Sequence, residues 1–276
     1  MSSIKKPEKA YKNLEFLNSA NARTVRILSE FYEPQARFKK YNVVDTCVFF
    51  GSARLVSSKA AKRKLNDFHK SSDPNSRGYK KELKRLTSLL EMSRYYDDAV
   101  ILSRKLTEWS ISLDSERKRF IICSGGGPGI MEAANKGAKQ AGGSSIGLNI
   151  SIPYEQFVNK YVDPNLAFEF HYFFMRKFWF LYLAKALIVF PGGFGTMDEL
   201  MEVVTLLQTG KVKKKIKIIV YDEKFWKRII NFEALIESGV ISENDLKYLT
   251  FSNSIDHAFE EIKSHFEKHF IRNGYK

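Results

Sequence analysis

Two glycine-rich turns and a few charged side chains are the parts of this 276-residue chain best suited to chemistry. The turns are SGGGPG at residues 124–129 and PGGFGT at residues 191–196, and each lies between a short apolar run and a helix-like pattern. Glycine lets a backbone adopt positive φ and approach an anion with no Cβ in the way. A helix that starts at such a turn adds unpaired N–H groups and its positive end, which together suit a phosphate. Gly192, Gly193, Gly195 and Thr196 of the second turn, and Gly126 and Gly127 of the first, are the candidate phosphate and ligand contacts. Each turn can also serve only as a tight join between strand and helix.

Glu199 follows Thr196 by three residues. With Thr196 as the cap the pair satisfies a capping box, a purely local role; alternatively its carboxylate faces the crevice beside a bound phosphate. Glu202 at i+3 falls on roughly the same helix face, while Asp198 is rotated away. Upstream, Met175, Arg176 and Lys177 sit among Phe173, Phe174, Phe178, Trp179 and Phe180, and Met175, Lys177 and Glu202 are further candidate ligand contacts. A guanidinium in apolar surroundings needs a partner, and its fork grips a phosphate or carboxylate in bidentate fashion. A ligand anion and an acid such as Glu199 both qualify. Ser52 and Arg54, after the first strand-like run, can reach the same sheet edge, and for Ser52 a hydrogen bond to ligand is the extent of the claim.

Several chemistries are disfavoured. Ile130 and Asp198 stand where the third glycine of GxGxxG belongs, and neither turn continues into GK[ST], which argues against dinucleotide dehydrogenases and P-loop enzymes. No G-x-S-x-G elbow surrounds Ser52. Cys47 and Cys123 lie in apolar runs and, with the five histidines, form no zinc spacing. No metal or other cofactor is therefore expected. The formal charge of +14 is spread along the chain without a nucleic-acid motif, so it favours phosphorylated ligands in general and not a specific nucleic acid. Residues 168–190 are apolar but broken by Glu169, His171, Arg176, Lys177 and Lys185, which excludes a bilayer span, and residues 1–12 lack the apolar core of a signal. No membrane association and a cytoplasmic location are expected.

The elements around these residues alternate in period. Strands are expected at 43–50, 120–124, 144–150, 168–174, 186–190, 217–221 and 248–251. Helices are expected at 18–32 (ended by Pro34), 130–142, 176–184, 197–209, 226–238 and 254–270, with 80–110 forming one long helix or a broken pair. Residues 153–166 read as an irregular, ligand-covering loop. Short turns between alternating strands and helices, and continuous apolar strands such as ALIVF, imply an α/β fold: a Rossmann-like, mostly parallel sheet with helices on both faces in three α/β/α layers. A single domain over 1–276 is expected, with a helical amino-terminal extension at 1–40 and a helical insertion at 56–119 between the first and second strands.

Taken together, GGGPGIMEAANKGA at 125–138, Met175-Arg176-Lys177 and PGGFGTMDE at 191–199 resemble the LOG family, Rossmann-like proteins once labelled lysine decarboxylases. The signature PGGxGTxxE is complete, and the likeness covers residues 43–238. Membership implies hydrolysis of the N-glycosidic bond of a purine nucleoside 5'-monophosphate, AMP-like or modified, to free base and ribose 5-phosphate. It implies Arg176 and Glu199 as catalytic residues, Gly192, Gly193, Gly195 and Thr196 as the phosphate turn, Glu132 near the purine or ribose, and a homodimer. The alternative of the same fold is a nucleotide or phosphorylated-cofactor carrier without hydrolysis. Pyridoxal-phosphate chemistry is disfavoured because nothing presents Lys177 or Lys136 for a Schiff base.

Overall fold

The computed structural model describes residues 7–152 and 157–271, so residues 1–6 of the expected extension and 153–156 of the expected ligand-covering loop lie outside the described residues. From the amino end, α1 (Leu14–Asn18) and α2 (Arg23–Lys40) precede β1 (Thr46–Phe50). Then α3 (Ser58–Ser71), α4 (Tyr79–Met92) and α5 (Arg94–Ser112) separate β1 from β2 (Ile121–Ser124). Next come α6 (Ile130–Gln140), β3 (Ser145–Ile150), β4 (Ala167–Phe170), α7 (Phe173–Tyr182), β5 (Ala184–Val189), α8 (Phe194–Gln208) and β6 (Lys217–Tyr221). Finally, α9 (Glu223–Ile229) and α10 (Phe232–Glu237) lead to β7 (Leu249–Ser252) and α11 (Ile255–Phe266).

The strands form one sheet in the order β4-β3-β2-β1-β5-β6-β7, and all six pairings are parallel. Strand order runs outward from β1 in one direction through β4, then reverses to place β5 on the other side of β1. The loops leaving β1 and β5 therefore diverge, and in open parallel sheets a ligand crevice opens at such a switch point. Side chains alternate across the sheet: Val48 and Phe50 enter one core with Phe38, Trp179, Leu200 and Trp226, while Cys47 and Phe49 enter the other with Leu102, Ile130, Ile262 and Phe266. Helices α5, α6 and α11 cover one face and α2, α7, α8 and α9 the other. This is the expected three-layer architecture, with β1, β2, β3, β5 and β6 largely buried on both faces and the edge strands β4 and β7 partly open.

Some element boundaries differ from the pattern-based reading, among them the strand expected over 168–174, which ends at Phe170 because α7 starts at Phe173. Pro34 does not end its helix but lies inside α2. Proline removes the N–H that would bond the carbonyl four residues back, and here the freed Glu30 carbonyl accepts a 2.9 Å bond from Trp179 Nε1. Tertiary packing thus satisfies the group that the proline orphans. Of the two expected readings of 80–110 the structure takes the broken pair, with Ser93 between α4 and α5 turning its hydroxyl back onto Leu90 O at 2.6 Å. The helix expected over 226–238 is also two, since Ile230 is extended and Asn231 caps α10 through Ala234 N.

The amino-terminal helix is an anchor for the site. Glu30 of α2 accepts from the backbone N–H groups of His171 and Tyr172 at 2.8 and 3.2 Å, just where α7 begins. A carboxylate there satisfies orphan donors and complements the helix dipole. Helix α7 carries Arg176, so the extension fixes the start of the element that positions it.

Candidate functional site

The carboxyl ends of β1 and β5 open into a cleft of about 750 Å³ lined by Ser52, Arg54, Gly125, Arg176, Gly192, Gly193, Phe194, Gly195, Thr196 and Glu199, among others. Helix α8 begins inside the PGGFGT turn, with Gly193 as its N-cap and Phe194 as its first residue. Thr196 is therefore an N3 residue and not the cap, and Glu199 lies deeper in the helix than a capping box requires. The expected capping alternative falls away because extended Gly193 (φ −100°, ψ −152°) starts the helix without a side-chain cap. Gly192 cannot carry a side chain, since a Cβ would lie 2.1 Å from Thr196 Oγ1, whereas a Cβ on Gly193 or Gly195 would meet nothing within 4 Å. The last two glycines leave open space in front of the first N–H groups of α8.

Glu199 is only 9% exposed. Its Oε1 accepts from Arg176 Nη2 at 3.1 Å, joining α8 to α7. Glu199 Oε2 and Arg176 Nε have no hydrogen-bond partner among the described residues. Burial pushes the Glu199 carboxyl up from 4.5 to about 7, against the pull of Arg176 and Lys177 and with some help from Asp198 and Glu202. Burial also lowers the Arg176 guanidinium, opposed by Glu199 and Asp198, although arginine stays charged at any physiological pH. The faces of Phe173 and Phe180 lie 5.2 and 5.4 Å from the guanidinium carbon. The pair thus combines a fixed cation with a carboxyl group that titrates near neutrality, the condition for proton transfer or water activation at neutral pH.

Met175, Lys177, Glu202, Glu132, Gly126 and Gly127 do not line this cleft. Lys177 bridges α7 to α8 by pairing with Asp198 at 2.7 Å and Glu202 at 3.1 Å, so Glu202 is taken up in a staple between helices. Met175 is buried in the core. Glu132 accepts from Tyr96 OH at 2.7 Å, tying α6 to α5. The Gly126 and Gly127 carbonyls both accept from Asn159 Nδ2, at 2.9 and 3.0 Å. The first turn is thereby laced to the chain after residue 156, and of its glycines it is Gly125 that lines the cleft.

Sequence reasoning missed the apolar wall: Leu55, Met92, Met131, Ile150, Phe225 and Ile229. Met92 ends α4, while Phe225 and Ile229 lie on α9. A network centred on Asp222, the N-cap of α9, which accepts from Arg94 Nη2 at 2.5 Å and Tyr95 OH at 2.6 Å, joins α9 to the start of α5, just after Met92. The usable signal was position alone, since Leu55 and Phe225 follow the carboxyl ends of β1 and β6.

Fold and cleft together define a Rossmann-like α/β protein with an anion-suited turn, an arginine–glutamate pair and an apolar wall at the switch point of a parallel sheet. A family model described as "Possible lysine decarboxylase" matches residues 131–262. The chain is 27% identical over 154 residues to cytokinin riboside 5'-monophosphate phosphoribohydrolase LOG4 of Arabidopsis thaliana, covering 55% of this chain and 66% of the relative. It is 29% identical over 153 residues to cytokinin riboside 5'-monophosphate phosphoribohydrolase LOG of Oryza sativa subsp. japonica, covering 54% and 58%. The chain is thus similar to LOG-family proteins over about half of its length, and these matches span under two thirds of each relative's length. The X-ray structure of TM1055 shares the fold, with a TM-score of 0.50, 19% identity and coverage of 80% of this chain and 99% of that one. Among the described residues no helix is long and apolar enough to cross a membrane.

Proposed function

We propose that the switch-point cleft binds a nucleoside 5'-monophosphate and hydrolyses its N-glycosidic bond, releasing free base and ribose 5-phosphate. The observation that carries this reading is the Arg176–Glu199 pair at the mouth of the PGGFGT turn, with a carboxyl that titrates at about 7. The phosphate docks on the N–H groups at the start of α8, in the space that Gly193 and Gly195 leave open. That anchor delivers the ribose C1' toward Glu199, which as a carboxylate orients or deprotonates water and stabilises positive charge growing on the ribosyl ring. Arg176 fixes the carboxylate's orientation and lowers the cost of its ionisation. The apolar wall of Leu55, Met92, Phe225 and Ile229 receives the base.

A second reading is favoured by the same ion pair. Glu199 already has a partner within the protein, and a cleft that holds a phosphorylated nucleotide or cofactor without cleaving it needs no free carboxylate. Incubation with a panel of purine and pyrimidine monophosphates, with the matching nucleosides as controls, separates the two. Release of base from monophosphates, abolished in Glu199→Ala, supports hydrolysis. Saturable binding with no base released supports the carrier reading, and nucleosides cleaved as fast as monophosphates would refute the phosphate anchor.

The assembly we propose is a homodimer. Phe173, Phe174 and Phe178 of α7 are 52%, 52% and 37% exposed, and Met201 of α8 is 37% exposed, an apolar surface of the kind that subunits bury. Helix α6, which follows the first glycine turn, packs instead against α5 of its own chain.

A further inference from the structure

We infer that Arg54 supplies the net positive charge that balances the ligand's phosphate, an inference that rests on the proposed nucleotide cleft. The side chains lining that cleft include three ionisable groups: Arg54, Arg176 and Glu199. Arg176 and Glu199 bond to each other, so once the carboxylate is ionised their charges cancel. Nearby Lys177 is likewise occupied by Asp198 and Glu202. Arg54 is exposed, and among the described residues its guanidinium has no ion pair or hydrogen bond. Backbone N–H groups and a helix dipole supply only partial charge, so a full cation beside them adds to the attraction for a phosphate dianion.

The loop that carries Arg54 is built to hold it at this place. Ser52 N donates to Pro191 O at 3.1 Å, and Ser52 O accepts from Ile130 N at 3.1 Å. The β1 loop is thus bonded to both glycine-rich turns at once. Ser52 Oγ accepts from Arg54 N at 3.1 Å, closing a turn beneath the arginine. Gly129 has φ +72°, and a Cβ there would lie 2.2 Å from Ser52 O, so only glycine permits this approach. The first glycine turn therefore acts as a seat for the Arg54 loop. With the loop backbone already ordered, only the Arg54 side chain is left to order on binding, and its fork matches a phosphate's oxygens.

The specificity that follows is for ligands bearing a terminal phosphoryl group over the same ligands without it. Ribose 5-phosphate is a suitable probe because it has no glycosidic bond to cleave, and adenosine tests the rest of the cleft without a phosphate. Calorimetric titration should show Arg54→Gln weakening ribose 5-phosphate binding roughly ten- to a hundredfold, with adenosine binding and Tm unchanged. Arg54→Lys should restore part of the loss, and raising salt should weaken the wild type more than Arg54→Gln. Equal ribose 5-phosphate affinity in wild type and Arg54→Gln would overturn the role given to Arg54. Parallel loss of adenosine binding would also overturn it, because the loop would then be acting as structure. If the wild type binds ribose 5-phosphate no better than ribose, the nucleotide cleft itself fails, and that outcome is read without any variant.

Discussion

Replacing Glu199 with glutamine should separate the protein's stability from that of the variant in a pH-dependent way. The native carboxyl titrates at about 7 against an ordinary 4.5, and burial is the main cause. Between those values the native state keeps a proton that the unfolded chain has already released. Stability therefore falls with rising pH across that window and levels off above it. At about 1.4 kcal/mol per pH unit the full effect is on the order of 3 kcal/mol. Glutamine fills the same space and does not titrate. The two unfolding free energies should converge below pH 4.5, where Glu199 becomes neutral in both native and unfolded chains, and above pH 7 the variant should be the more stable by about 3 kcal/mol. Urea unfolding followed by tryptophan fluorescence at half-unit pH steps from 4.5 to 8.5 measures this directly. Parallel curves, or a wild type that gains on the variant as pH rises, would refute the reasoning: attraction to Arg176 would then outweigh desolvation and hold the carboxyl low. If the carboxylate activates water, kcat/KM should rise through the same region near pH 7.

Three further outcomes follow from other parts of the molecule. Asp45, 1% exposed, receives Arg119 Nε at 2.5 Å and lies 3.4 Å from Lys185 Nζ; Asp45→Ala should cost about 3–5 kcal/mol in chemical unfolding because it leaves partly buried cations without their acid, and a loss under 1 kcal/mol would show that solvent already screens them. Gly193→Ala should fold with stability within about 1 kcal/mol of wild type yet bind ribose 5-phosphate at least tenfold more weakly, while Gly192→Ala should lose stability outright because its Cβ meets Thr196; matched Tm losses in the two would contradict the assignment of open space to Gly193. Phe174→Asp should shift sedimentation from a dimer to a monomer of 31.9 kDa, and a wild type already at that mass would remove α7 from the interface.

Alternation of apolar runs with helical patterns was sufficient to read the three-layer sheet from the sequence, because strands buried on both faces must be continuously apolar and their crossovers must carry helices. ALIVF and FIICS needed no tertiary information to be recognised. PGGFGT and Glu199 were equally legible, since few backbones other than a strand–turn–helix join require that composition. Tertiary structure decided what each polar group does. Pro34 stays within a helix because Trp179, distant in sequence, takes the carbonyl it frees. Asn159 occupies the Gly126 and Gly127 carbonyls, which ties the first glycine turn to the chain after residue 156. Glu132, Lys177 and Glu202 found partners on neighbouring helices, and Arg176 found Glu199. Local pattern reports burial and backbone conformation, which depend on adjacent residues. The pairing of charges depends on which surfaces the folded chain brings within a few ångströms, and that distance is set only when the layers close.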